Sequence, residues 1–185
     1  MKKFCILGNP VKHSLSPIIF KHIFNSLDIH ASYDSKLIEN RKSFVNFIKN
    51  NHYLYSGFNI TSPYKKIAYD IVDELDPLAK KLKSVNCIKV KDSHLIGYNT
   101  DYYGFKNMLF ENNISLDNKK ILILGYGGVA KTIIFSLLNK YNCEIYIHGR
   151  NYNKIEKLIN EIKKIYKHKI IDLFNNKIKE DLFMI

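Results

Sequence analysis

The apolar run Ile121-Leu122-Ile123-Leu124, followed at once by Gly125-Tyr126-Gly127-Gly128-Val129-Ala130, constrains this chain more than any other segment. Four apolar residues bounded by glycine read as a buried parallel strand. Thr132 to Leu138 reads as a helix. Strand, tight glycine turn and helix, in that order, let backbone N–H groups and a helix N-terminus hold a pyrophosphate. A second strand, Glu144 to Ile147, leads into His148, Gly149 and Arg150. A dinucleotide with a free ribose 2′-hydroxyl calls for an acidic residue there, and this chain has none. Arg150 instead offers a planar fork suited to a 2′-phosphate. It is one of only two arginines, with Arg41, among 29 basic residues. The segment predicts an NADP site rather than an NAD site. Gly125, Tyr126, Gly127, Gly128 and Val129 are the residues expected at the pyrophosphate, and Gly149, Arg150, Asn151 and Lys154 at the adenosine end.

At 185 residues the chain can hold one large domain or two small ones. Its net charge of +12 would ordinarily raise nucleic-acid binding. The lysines are spread along the whole chain, however, and the excess of Lys, Asn, Ile and Tyr looks like a genome-wide bias. A diffuse positive field favours an anionic cofactor and an anionic substrate. Neither nucleic acid nor membrane is expected as a partner, because no apolar run approaches the length of a bilayer span. Met1-Lys2-Lys3 and the apolar run after it mimic a signal peptide, but Gly8-Asn9-Pro10 ends that run too early. Cys5, Cys87 and Cys143 show no paired spacing and read as buried thiols in a reducing compartment. The chain is expected in the cytoplasm.

Ahead of the dinucleotide segment, Phe4 to Leu7 reads as a strand. Ser16-Pro17 opens a helix, with Ser16 as N-cap and Pro17 first inside. Phe20, Ile23, Phe24 and Leu27 give that helix one buried face. Tyr33 to Leu37 is a strand and Arg41 to Asn50 a helix. Gly57 to Ile60 is a strand, and Thr61-Ser62-Pro63 starts a third helix. Val85 to Val90 and His94 to Tyr98 are strands around an Asp92-Ser93 turn. Asn99-Thr100-Asp101 caps a connecting helix through about Phe110. The domains are therefore 1–101 and 102–185, with the dinucleotide fold proper starting at Lys119.

Five segments carry further information together: Gly8 to Pro17, Asn59 to Lys65, Ser84-Val85-Asn86, Gly97 to Asp101, and the glycine loop through Lys131. In the first, Ser14 and Ser16 can both point at one polar ligand beside a helix N-terminus. The order and spacing of the five resemble the NADP-dependent shikimate dehydrogenases, over essentially the whole chain. That resemblance implies a small α/β substrate-binding domain followed by a Rossmann domain, a doubly wound parallel sheet that binds NADP. It implies reversible oxidation of shikimate to 3-dehydroshikimate in aromatic amino-acid (chorismate) biosynthesis, without metal. It also implies that Ser14 and Ser16 hold the substrate carboxylate, that Thr61 and Lys65 line the substrate ring, that Asn86 and Asp101 complete the pocket, and that Lys65 and Asp101 are the catalytic pair. A lysine ammonium beside a developing alkoxide supplies a proton or a charge, and general acid–base help of this kind is worth roughly 10²–10⁴ in rate.

Two departures from the family's pattern stand out. Tyr98 replaces a second acid in the fourth motif. Gly149 replaces an asparagine before the cofactor arginine, which removes a hydrogen-bonding side chain and is expected to weaken NADP binding. After a helix from about Tyr152 to Tyr166 come a short segment, Lys169 to Leu173, and an apolar run, Asp181 to Ile185. That run reads as a core strand cut in its middle. The expectation is a partial Rossmann domain, truncated at its C-terminus and prone to associate through a bare sheet edge, with a homodimer left open. Two other readings compete: a non-catalytic remnant that still binds substrate or nucleotide, and an NAD-linked quinate/shikimate dehydrogenase. Arg150 argues against the latter.

Overall fold

A computed structural model describes residues 1–167, 171–173 and 182–185. The chain divides into two compact units, Met1–Thr100 and Asp101–Ile185.

The first unit is a six-stranded sheet with helices in its crossovers. Its elements run β1 (Lys2–Gly8), α1 (Ser16–Ser26), β2 (Ala31–Leu37), α2 (Arg41–Asn51), β3 (Gly57–Ile60), α3 (Lys65–Ile71), β4 (Glu74–Leu75), α4 (Pro77–Leu82), β5 (Cys87–Lys91) and β6 (His94–Tyr98). The strand order is β2-β1-β3-β5-β6-β4. β1 pairs in parallel with β2 and β3, so the ends of these strands where Gly8, Leu37 and Ile60 stand lie on one edge. β5 is antiparallel to β3 and joins β6 through Asp92 and Ser93, both at positive φ. One core forms around Leu7, Phe44, Ile48, Phe58, Ile60, Tyr64, Val85 and Ile88.

Three expectations for this unit need correction. Ser16 does not cap α1: Leu15 holds the cap position without a side-chain bond, and the Ser16 N–H donates to Ser14 Oγ at 3.3 Å. Of the expected buried face of α1, only Phe24 is buried, while Ile23 and Leu27 are exposed. The third helix begins at Lys65 rather than Thr61. The sequence reading also passed over α4, although Asp76-Pro77 is a strong helix start: Asp76 accepts bonds from the Ala79 and Leu78 N–H groups at 2.8 and 3.3 Å.

The second unit runs α5 (Asp101–Glu111), β7 (Lys120–Leu124), α6 (Gly128–Lys140), β8 (Glu144–His148), α7 (Tyr152–Lys163), β9 (Ile171–Leu173) and β10 (Leu182–Met184). Among the described residues its strands are all parallel, in the order β10-β7-β8-β9. The chain thus winds outward from β7 to one side and returns to the other, and such a reversal leaves a crevice at the carboxyl end of the central strand. Ile121, Ile123, Ile145 and Ile147 are almost wholly buried, as the continuous apolar runs require. α7 ends at Lys163, short of Tyr166. Of the expected terminal segments, β9 and β10 are strands, whereas 169–170 and 181 lie outside the described residues. Cys5 and Cys143 are buried, but Cys87 is only partly so.

Candidate functional site

In the first unit, backbone hydrogen bonds draw the sequence motifs to one edge of the sheet. The Asn9 N–H donates to the Ser62 carbonyl and the Thr61 N–H to the Leu7 carbonyl, both at 3.0 Å. The loop that carries Ser14 and Ser16 is thereby tied to the loop that carries Thr61. The approach is so close that a Cβ on Gly8 would collide with the Thr61 methyl.

The Ser16 side chain lies near the Tyr33 hydroxyl. That hydroxyl donates to Asn59 Oδ1 at 2.7 Å, and the Tyr33 ring stacks on Phe20 with centroids 4.4 Å apart. Burial pushes the Tyr33 phenol well above its ordinary value, so it remains a neutral donor. Tyr33 and Asn59 are therefore part of this polar cluster, though the sequence reading did not assign them. A polar residue between Phe58 and Ile60 could have flagged Asn59. Nothing local distinguishes Tyr33.

Lys65 is the first residue of α3 and is half-buried. The preceding residue anchors it: Tyr64 is buried, donates to the Ile38 carbonyl at 2.6 Å and stacks on Phe44. The Lys65 carbonyl accepts the Val85 N–H at 3.0 Å, which brings in the third motif. Asn86 in turn holds the fourth motif. Its Oδ1 accepts the Thr100 N–H at 2.8 Å, its Nδ2 donates to Thr100 Oγ1 at 2.9 Å, and its own N–H donates to the Tyr98 carbonyl. The Asn99 amide donates to the Ser84 carbonyl at 3.1 Å. Ser14, Ser16, Thr61, Lys65 and Asn86 are thus brought together by one network. Asp101 follows Thr100 directly in the chain and opens α5 in the second unit.

The second unit carries the glycine loop at the end of β7. Gly125 has φ +116°, a conformation that favours glycine. A Cβ on Gly125 or Gly127 would meet nothing within 4 Å, so the loop is an open cradle. Gly127 caps α6 without a side-chain bond, and no acid stands in the first turn of that helix. Its leading N–H groups and the positive end of its dipole are left for an anion. Gly128 and Val129 are exposed beside them. At the end of β8, Arg150 is exposed, with no carboxylate contact among the described residues. Asn151 caps α7 by accepting the Lys154 N–H at 3.0 Å, and Lys154 is exposed. Open glycines, an uncapped helix start and two exposed cations fit a dinucleotide that bears an extra phosphate.

Comparison with known proteins agrees with both halves. Residues 6–88 match the family model for the shikimate dehydrogenase substrate binding domain, and residues 108–184 match the one for shikimate / quinate 5-dehydrogenase. The chain belongs to the shikimate dehydrogenase family. An NADP(+) shikimate dehydrogenase of Caldicellulosiruptor bescii is 38% identical over 161 residues, which are 85% of this chain and 56% of that protein. One from Bacillus cereus is 40% identical over 156 residues, 83% of this chain and 56% of that protein. A shikimate dehydrogenase solved with NADP+ superposes with TM-score 0.84 at 31% identity, over 93% of this chain and 61% of that one. The Thermus thermophilus enzyme solved with shikimate superposes with TM-score 0.85 at 27% identity, over 100% of this chain and 68% of that one. The chain spans just over half the length of the curated relatives it matches. Among the described residues, no helix is long and apolar enough to cross a membrane.

Proposed function

We propose that this chain binds shikimate through its first unit and NADP through its second, and serves the reversible NADP-linked oxidation of shikimate to 3-dehydroshikimate. The observation that carries the reading is the hydrogen-bond network that draws four separate motifs, and with them Ser14, Ser16, Thr61, Lys65 and Asn86, to one edge of the first sheet. The Ser14 and Ser16 hydroxyls hold the substrate carboxylate, with Ser16 oriented by Tyr33. Thr61 and Asn86 hold ring hydroxyls. NADP, when bound, accepts or supplies the hydride. As the reacting carbon is oxidised, its hydroxyl must lose a proton. Lys65 Nζ takes that proton, and returns it in the reverse direction, with Asp101 as its partner carboxylate. Gly125, Tyr126, Gly127, Gly128 and Val129 receive the pyrophosphate; Gly149, Arg150, Asn151 and Lys154 frame the 2′-phosphate. Three free thiols and a pyridine-nucleotide reaction suit a reducing cytoplasm.

The test is calorimetry of the chain with shikimate and with NADP+, followed by absorbance of NADPH when both are present. Saturable binding of each ligand and shikimate-dependent NADPH formation are expected. Binding of neither ligand would sink the reading.

A further inference from the structure

Tyr126 is the one large side chain in the glycine loop, and its ring lies against Gly149. A Cβ built on Gly149 would meet Tyr126 Cδ1 at 2.8 Å and Cε1 at 3.0 Å. The ring thus fills the space that any side chain at position 149 would need. Nearby, the Gly125 N–H donates to the His148 carbonyl at 2.8 Å. Loop and strand end are therefore fastened twice, by a backbone bond from 125 to 148 and by ring contact from 126 to 149. Arg150 comes immediately after, exposed and without a carboxylate contact among the described residues.

We propose that Tyr126, seated on Gly149, is the positioning residue for the adenosine 2′-phosphate. It occupies the place of the missing side chain at 149 and holds the loop and the Arg150 segment in one arrangement. Gly149 is then not a simple loss of a hydrogen-bonding group but the seat that the ring requires. The ring adds a flat face at the point where the ribose 2′-position meets the end of the second strand. The inference rests on the NADP reading above and deepens it: discrimination for the 2′-phosphate belongs to Tyr126 and Gly149 together with Arg150.

The experiment measures binding of 2′,5′-ADP and of 5′-AMP, which differ only in the 2′-phosphate, to the 185-residue chain by calorimetry, with thermal unfolding run in parallel. Tyr126→Ala should weaken 2′,5′-ADP about five- to tenfold and 5′-AMP by less than about twofold, so the ratio between them collapses. Tyr126→Phe keeps the ring and should retain most of the ratio. Gly149→Ala should lower both the ratio and the unfolding midpoint in the parent chain. In a Tyr126→Ala background it should change neither, because the clash has gone. A parent chain that fails to prefer 2′,5′-ADP over 5′-AMP overturns the NADP reading and this inference with it. A parent chain that discriminates while Tyr126→Ala discriminates equally well overturns the inference alone, since a ring that merely packs would shift the midpoint and not the ratio. An unfolding penalty for Gly149→Ala that persists without the ring also overturns it.

Discussion

In the proposed NADP site, Arg150 is the side chain that would meet the 2′-phosphate with a charge. A guanidinium paired with a 2′-phosphate makes charge-assisted hydrogen bonds, worth about 1.5–3 kcal/mol. Arg150→Ala should therefore weaken NADP about 10- to 100-fold and leave NAD nearly unchanged; equal losses by calorimetry would refute the assignment. Lys65 and Asp101 make the corresponding prediction for chemistry. Lys65→Ala and Asp101→Ala should each lower the rate of NADPH formation by about two or more orders of magnitude while shikimate still binds. The double variant should be little worse than either single one, and additive losses would show that the two do not act as a unit. Cys5 sets a pH limit of a different kind. Burial pushes its thiol from 9.0 up to about 12. Below pH 9 both folded and unfolded chains keep the proton and stability is complete. Above it the unfolded chain ionises first, so the folded state loses stability progressively until about 12. Denaturant midpoints should fall across that window, and Cys5→Ala should flatten the decline. The buried tyrosine phenol of Tyr33 shifts in the same direction and adds to the upper part of the decline.

Among the elements, α4 and α1 show how far local sequence reaches. α4 depends on Asp76, which satisfies two N–H groups of the first turn. Asp76→Ala should cost about 1 kcal/mol, read as a shift in the urea midpoint, and no shift would mean that packing alone holds this six-residue helix. That start was written in the sequence, in Asp76-Pro77, and α4 was still missed because so short an element shows no helical period. β7, α6 and β8 were legible because a buried parallel strand must be apolar throughout and a phosphate turn must be glycine-rich. α1 was half-legible. Phe20 and Phe24 do face the sheet, stacking on Tyr33 and lying 5.7 Å from Phe4, respectively. Leu15, Ile19, Ile23 and Leu27, repeating every four residues, are exposed. Periodicity marks an apolar stripe but not what covers it. The polar cluster of the first unit was legible only where motifs are contiguous: Tyr33 joins it through a stack and a hydroxyl from a strand that carries no local signal. Gly149 was visible as a departure, but its contact with Tyr126 joins two distant stretches of chain and exists only in the fold.

For the whole molecule, the net charge of +12 is spread over both units and is not gathered at one site. A diffuse field of this kind acts before contact: it attracts an anion over distances of a Debye length, about 10 Å at 0.1 M salt. In the proposed complex Arg150 would act after contact, through hydrogen bonds to the bound phosphate. The two effects separate kinetically. Raising ionic strength should slow NADP association several-fold, while dissociation changes little. Arg150→Ala removes one charge from a field of twelve, so its association rate should stay close to that of the parent chain, with a similar salt slope. Its dissociation rate should rise by about the full 10- to 100-fold lost in affinity. Stopped-flow binding at low and high salt, for the parent and Arg150→Ala, measures all of these rates. An association rate indifferent to salt would show that the lysines do not steer the cofactor. An Arg150→Ala defect confined to association would place the arginine outside the bound complex.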